Sequence, residues 1–200
     1  MEILDVVDEN GNPTGGGAMQ TLTRAEAADK LLDRYTGYFD ITHADQTQTP
    51  LVATCDFHAH SEKYVLSKKA KLWEAGSHEY VFLFSVPHLT EDIYKSCRDY
   101  ALENGMAKVE PGPTHMYSYI TAVFLCDSCD EAAKRALRKA RVYKSFKMAF
   151  WGWMDFHSGL AVLEEGKAFS NASGRSAAQL LNKTLFCKEK RKLLGKEKTL

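Results

Sequence analysis

Residues 51–60, Leu-Val-Ala-Thr-Cys-Asp-Phe-His-Ala-His, alternate almost without error, and that alternation constrains the fold more than any other stretch. Successive side chains on a strand point to opposite faces, so Leu51, Ala53, Cys55, Phe57 and Ala59 form one face and Val52, Thr54, Asp56, His58 and His60 the other. The first face reads as core. The second carries a carboxylate and two imidazoles, which suit a metal or acid/base site as well as a wet sheet surface. Residues 80–86, Tyr-Val-Phe-Leu-Phe-Ser-Val, are apolar on both faces, as expected of a central strand covered from two sides.

The remaining elements follow from capping and periodicity. Thr23-Arg24-Ala25-Glu26 is a capping-box pattern, and Ala27, Ala28, Leu31, Leu32, Tyr35 and Tyr38 follow at helical spacing, which predicts a helix ending near Gly37. Residues 43–50 read as a polar loop. Turns at 61–63 and 74–77 predict an antiparallel meander of three strands that Pro87 ends. Thr90 is placed to cap a helix running to Gly105, and residues 115–126 predict another strand. Ser128 to Glu131 is a second capping-box pattern, opening a helix through Ala140. In 143–156 the even positions Phe146, Met148, Phe150, Met154 and Phe156 form an apolar set, with Trp151, Trp153, Asp155 and His157 on the other side. Residues 160–163 read as a returning strand, and a last helix starts near Ser176.

This order predicts an α+β fold: one largely antiparallel sheet of about five to six strands packed against three to four helices. Three glycines at 15–17 divide residues 1–20, a hairpin and linker, from a single α+β domain over 21–187, and 188–200 form a charged tail with a basic bias. Two hundred residues at 44% hydrophobic content suffice for one core. With 26 basic and 26 acidic residues the formal charge is zero, so the global balance attracts neither nucleic acid nor an anionic membrane, and any such contact has to be local. The longest apolar runs are too short to cross a bilayer, and five cysteines at irregular spacing fit a reducing compartment, so a cytoplasmic location is expected. A homo-oligomer is compatible with all of this.

The opening, with its Asp8-Glu9-Asn10-Gly11 turn, resembles the first hairpin of Nudix hydrolases, in particular the branch similar to isopentenyl-diphosphate isomerase. The resemblance covers residues 1–15. It implies a diphosphate-binding helix with an Arg-Glu-x-x-Glu-Glu core that holds magnesium, and no segment of this chain supplies that core, so no catalytic residue carries over.

Three further constellations bear on chemistry. Histidines two apart on a strand are about 6.5 to 7 Å apart along the chain, close enough to converge on one divalent ion. Asp56, His58 and His60 are therefore candidate metal ligands. Asp-x-His-x-His also resembles the first-strand motif of metal-dependent amidohydrolases, a family built on an eight-stranded barrel for which this chain is too short. Asp155-Phe156-His157 repeats Asp56-Phe57-His58, so two such strands side by side would build one polar patch, and His58, His60, Trp151, Trp153 and His157 are the candidate ligand-binding residues. Cys126-Asp-Ser-Cys129 lies where redox dithiols lie in proteins similar to thioredoxin, although no proline follows Pro113 to supply the cis-proline of that fold. The blander reading has Cys126 packed in a strand and Ser128 capping the helix. Finally, the order helix, three strands, helix, strand resembles the core of restriction-endonuclease-like nucleases, whose Asp and Glu-x-Lys hold magnesium on adjacent strands. Glu62-Lys63-Tyr64 and Glu79-Tyr80-Val81 stand at those positions without the required lysine.

With no complete catalytic set, the leading expectation is a binding or interaction domain with a Trp/His-lined small-molecule pocket. The alternatives are a metal-dependent hydrolase using Asp56, His58, His60 and His157, and a thiol redox protein using Cys126 and Cys129.

Overall fold

The computed structural model describes residues 22–64 and 71–187, with the side chains of 46, 59–64 and 71–75 excepted. The Nudix-like opening and the charged tail lie outside the described residues, as does the side chain of His60. The elements run α1 (Arg24–Tyr35), β1 (Asp40–His43), β2 (Leu51–Tyr64), β3 (Lys71–Leu89), α2 (Glu91–Lys108), β4 (His115–Cys129), α3 (Glu131–Lys139), β5 (Tyr143–Ser145), β6 (Trp153–Val162), β7 (Lys167–Ser170) and α4 (Arg175–Leu181). A π-helical turn, Asn182–Phe186, extends α4.

The fold is α+β, but its sheet is mixed rather than largely antiparallel. The described strands form one seven-stranded sheet in the order β1-β2-β3-β4-β6-β5, with β7 also pairing with β6. β1, β2 and β3 are antiparallel neighbours, whereas β3 with β4 and β4 with β6 are parallel. The cause is the connections. A parallel neighbour requires a crossover, and α2 and α3 supply the two crossovers that carry the chain back to the start of the next strand. The predicted meander of three strands is one long hairpin: residues 61–63 and 74–77, read as turns, are paired with each other's strands, and β3 continues through Pro87 to Leu89. The predicted return strand at 160–163 is the second half of β6.

Each face of the sheet carries its own core. Tyr80, Phe82, Phe84, Ile120, Phe124, Met154 and Phe156 face α2 and α3, while Val81, Leu83, Val123, Leu125 and Ala161 face α1 and α4. The alternation of β3 therefore buries both sides of the strand. α1 begins with the predicted capping box, Thr23 accepting from the Glu26 amide and the Glu26 carboxylate accepting from Thr23. α2 begins at Thr90 as expected, but passes through Gly105 instead of stopping there. A Cβ at Gly105 would lie 2.7 Å from Ile120 Cγ2, so this glycine serves close approach of helix to sheet and not a helix end. The Ser128 capping box does not form. β4 extends to Cys129, Asp130 is the N-cap, and Ser128 Oγ lies 2.8 Å from His88 Nδ1.

One buried amide ties several elements together. Asn171 Oδ1 accepts from the amides of Ser158 and Gly174, at 3.0 and 2.8 Å, and Nδ2 donates to the carbonyls of Ala140 and Phe156, at 3.1 and 2.9 Å. It thereby joins the end of α3, the middle of β6 and the start of α4, and fills all its bonding capacity while 2% exposed. Asn171→Ala strands four buried backbone groups and is expected to lower the unfolding free energy by about 3 kcal/mol or more, read from urea melts.

Candidate functional site

Among the described residues, the helices on the α1/α4 face cover only half of the sheet. Arg24 at the start of α1 bonds Asp127 and Ser85, at 2.9 and 3.1 Å, near the C-terminal ends of β3 and β4, and Tyr35 at its end has reached Glu79. Twelve residues of helix span about 18 Å, whereas β4 alone is about 50 Å long. Beyond the end of α1 the sheet presents rows of side chains fixed by register. One row holds Phe57, Glu79, Tyr119 and Asp155, a second holds Tyr117 and Trp153, and a third holds Thr121 and His157.

These side chains contact one another closely. Tyr119 lies against His157 with ring centroids 4.3 Å apart, and Tyr117 packs on Tyr119 at 4.8 Å and stacks on Trp153 at 5.7 Å. Thr121 Oγ1 donates to Glu79 Oε1 at 2.8 Å. Burial raises the Glu79 carboxyl above its ordinary range, with the Thr121 bond opposing the shift. Burial also holds His157 below the usual imidazole range against the attraction of Asp155, 3.9 Å away. A cavity of about 250 Å³ opens beside Glu79 and Thr121, walled by Tyr35 and Phe39, with Arg34 and Ser176 at its sides. The Glu79 carboxyl, the hydroxyl-bearing Tyr35, Thr121 and Ser176, the Phe39 ring and the Arg34 guanidinium line this cavity, and Tyr117, Tyr119, Trp153 and His157 lie on the same face of the sheet, as around a small-molecule site.

The candidates on β2 are elsewhere. Asp56 pairs with Tyr80, which pairs with Ile120 and then Phe156, so Asp56 and His58 face α2 and α3. Trp153, Asp155 and His157 face α1 and α4, with β3 and β4 intervening. The two Asp-Phe-His tripeptides thus sit on opposite faces, and the set Asp56, His58, His60 and His157 does not converge on one ion. Lys108 Nζ binds both oxygens of Asp56, at 2.8 and 2.6 Å. His58 Nδ1 lies 2.7 Å from His78 Nδ1, and the His78 ring stacks at 6.1 Å on His115. Among the described residues no group of three or more His, Cys, Asp or Glu is placed to hold a metal. Glu79 and Asp56 likewise face opposite ways, so the nuclease-like arrangement is not assembled. Trp151 is not on a sheet face at all, but in the loop before β6, with Lys147 Nζ 3.5 Å from its ring centroid.

The sequence model of one family, described as a domain of unknown function (DUF8052), matches residues 23–183. The chain belongs to that family. No curated protein and no solved structure matches it. The matched span contains every residue of the half-covered face and all of the paired sheet, so the site is part of the family domain and not of an appended segment. No helix among the described residues is long and apolar enough to cross a membrane.

Tyr117, Tyr119 and Thr121 are the site residues that sequence reasoning missed, and Glu79 was named only as a position in the nuclease-like arrangement. Tyr117, Tyr119 and Thr121 alternate as Trp153, Asp155 and His157 do, and that repeated period was the available signal. Which strands are neighbours was not.

The two thiols of the Cys-x-x-Cys remain free and both belong to the end of β4. Interaction with the neighbouring Cys126 thiol lowers the Cys129 thiol, assisted by Lys134 and opposed by burial. The same interaction, together with burial, pushes Cys126 up. Burial also raises Cys55 to about 12 and Cys97 to about 11. In a Cys187→Ser background, Cys129 is expected to alkylate with iodoacetamide at least about tenfold faster than Cys55, Cys97 or Cys126, as read by peptide mass spectrometry.

Stability reports on Glu79. Its folded-state pKa is raised, so the wild-type fold is unpenalised below the ordinary carboxyl pKa of the unfolded chain and loses stability as pH rises from there through the folded value. Glu79→Gln is expected to melt higher than wild type at neutral pH, with the difference vanishing near pH 4. Calorimetry across that range checks the sign.

Proposed function

We propose that this is a non-catalytic binding domain of the cytoplasm whose ligand is a small organic cation held on the half-covered α1/α4 face. Glu79 carries the reading: a desolvated carboxyl beside a cavity gains most when a positive group replaces the water it has lost. Asp155 adds a second negative group in the same row. The faces of Tyr117, Tyr119 and Trp153 offer the negative π surface that ammonium groups prefer. Of the residues singled out from the sequence, Trp153 and His157 belong to this site.

The hydrolase reading has less support. A metal on Asp56, His58 and His60 would have to displace Lys108 from both carboxylate oxygens and would find His157 across the sheet. Metal analysis of untagged protein, compared with a His58→Ala variant, is the check on that strand: metal lost with the imidazole would restore it.

Choline and ethanolamine are suitable probes for the proposed site. Isothermal titration is expected to show saturable binding that strengthens as pH rises and Glu79 ionises, because only the carboxylate attracts the ammonium group. Glu79→Gln is expected to weaken binding by about tenfold or more, consistent with loss of a charge-assisted contact in a partly dry cavity. Equal binding by wild type and Glu79→Gln would remove the basis of the proposal.

A further inference from the structure

Between β5 and β6 the alternation that predicts Met148 and Phe150 as core breaks down. Lys147, Met148 and Ala149 hold φ values of 44°, 52° and 68°, three consecutive non-glycine residues in the left-handed region. Each is unfavourable there because Cβ crowds the following carbonyl oxygen. The scaffold enforces the turn. Phe146 N donates to the Gly152 carbonyl at 2.9 Å, and Trp151 N donates to the Phe146 carbonyl at 3.1 Å. His115 Nδ1 donates to the Trp151 carbonyl at 2.8 Å. Gly152, at φ 76°, seats the strand so closely that a Cβ would lie 2.4 Å from the Met116 carbonyl oxygen. Backbone strain held this firmly is a feature of functional sites.

What the strain achieves is projection. Met148 is 87% and Phe150 79% exposed, and with Tyr143 they make three of the five large exposed hydrophobic side chains among the described residues. The surrounding charge is one-sided. Residues 132–154 contain seven Lys and Arg and no Asp or Glu, in a chain that is neutral overall. Lys134 is buried and paired with Glu131 and Glu165, but Arg138, Lys139, Arg141, Lys144 and Lys147 are exposed.

We propose that the loop over residues 143–151 docks on the surface of a bilayer rich in anionic lipid. Met148 and Phe150 enter the boundary between headgroups and acyl chains, and Arg141, Lys144 and Lys147 lie against the lipid phosphates. The loop favours a bilayer over other anionic partners. Exposed apolar side chains in one short loop, flanked by exposed Arg141, Lys144 and Lys147, are the arrangement of an interfacial anchor. A single-stranded nucleic acid needs open aromatic platforms. Here the Trp151 ring lies under Lys147 and the Phe146 ring against His115, which leaves Tyr143 and Phe150 as the exposed rings, separated along the chain by Lys144, Lys147 and the ringless Met148. Two side chains and a few charges give weak, reversible docking.

Co-sedimentation of the full 200-residue chain with vesicles tests this. Vesicles of phosphatidylcholine with about one third phosphatidylserine should bind it at least about tenfold better than phosphatidylcholine alone, and high salt should remove the preference. Met148→Ser with Phe150→Ser should cut binding by about tenfold or more. Lys144→Glu with Lys147→Glu should cost about fivefold or more per charge and abolish the anionic preference. Because all four side chains are exposed, both variants should keep the wild-type circular dichroism and melting point. Failure of the wild type to bind the anionic vesicles, or binding unchanged in folded variants of either kind, overturns the proposal. So does loop-dependent binding to a single-stranded oligonucleotide, or loop-dependent dimerisation, in place of vesicle binding.

Discussion

The parallel placement of β4 between β3 and β6 is the constraint on which the rest of the structure depends. Two parallel pairs demand two crossovers, and α2 and α3, which supply them, both pack on one face. Among the described residues, that leaves the opposite face to the two remaining helices. Those are α1, twelve residues, and α4, seven, and neither is long enough to reach the far ends of the strands. The uncovered rows must then be side chains that tolerate partial hydration, and the chain places Glu79, Tyr117, Tyr119, Trp153 and Asp155 there. The site arises from a mismatch in element lengths, and its polarity is what that mismatch requires.

The two faces also differ in how their polar groups are satisfied. On the α2/α3 side, Asp56 has Lys108, His58 has His78, and Tyr80 donates to the Lys108 carbonyl, so the polar edge of that face is closed by the end of α2. On the α1/α4 side no helix end among the described residues does this. Glu79 has Thr121, and its environment still favours the neutral acid. A carboxyl in that condition costs the fold stability, and a ligand that ionises it recovers the loss.

Much of the local structure was legible from residues alone. The Thr23 capping box starts α1 and the Thr90 cap starts α2, because both rest on bonds within four residues of chain. The two-sided apolar run at 80–86 correctly marked a central strand. Pairing was not legible, since parallel and antiparallel neighbours need the same alternation, and the choice is made by helices that lie between them in sequence. Ser128 misled because His88, forty residues earlier, takes its hydroxyl and the strand runs on to Cys129. Met148 and Phe150 misled because period two says nothing once the backbone turns left-handed. The candidate site was half visible: Trp153 and His157 were placed on one face correctly, but His58 was assigned to their company by an echo of three residues that the sheet puts on its two sides.

The central claim is that ligand binding belongs to the uncovered rows of the α1/α4 face. A choline titration followed by amide NMR measures this most directly. The account predicts saturable shifts concentrated at Glu79, Tyr119, Thr121, Asp155 and His157, with His58, His78 and His115 unmoved. Shifts centred on those three histidines, or none on either face, would contradict it.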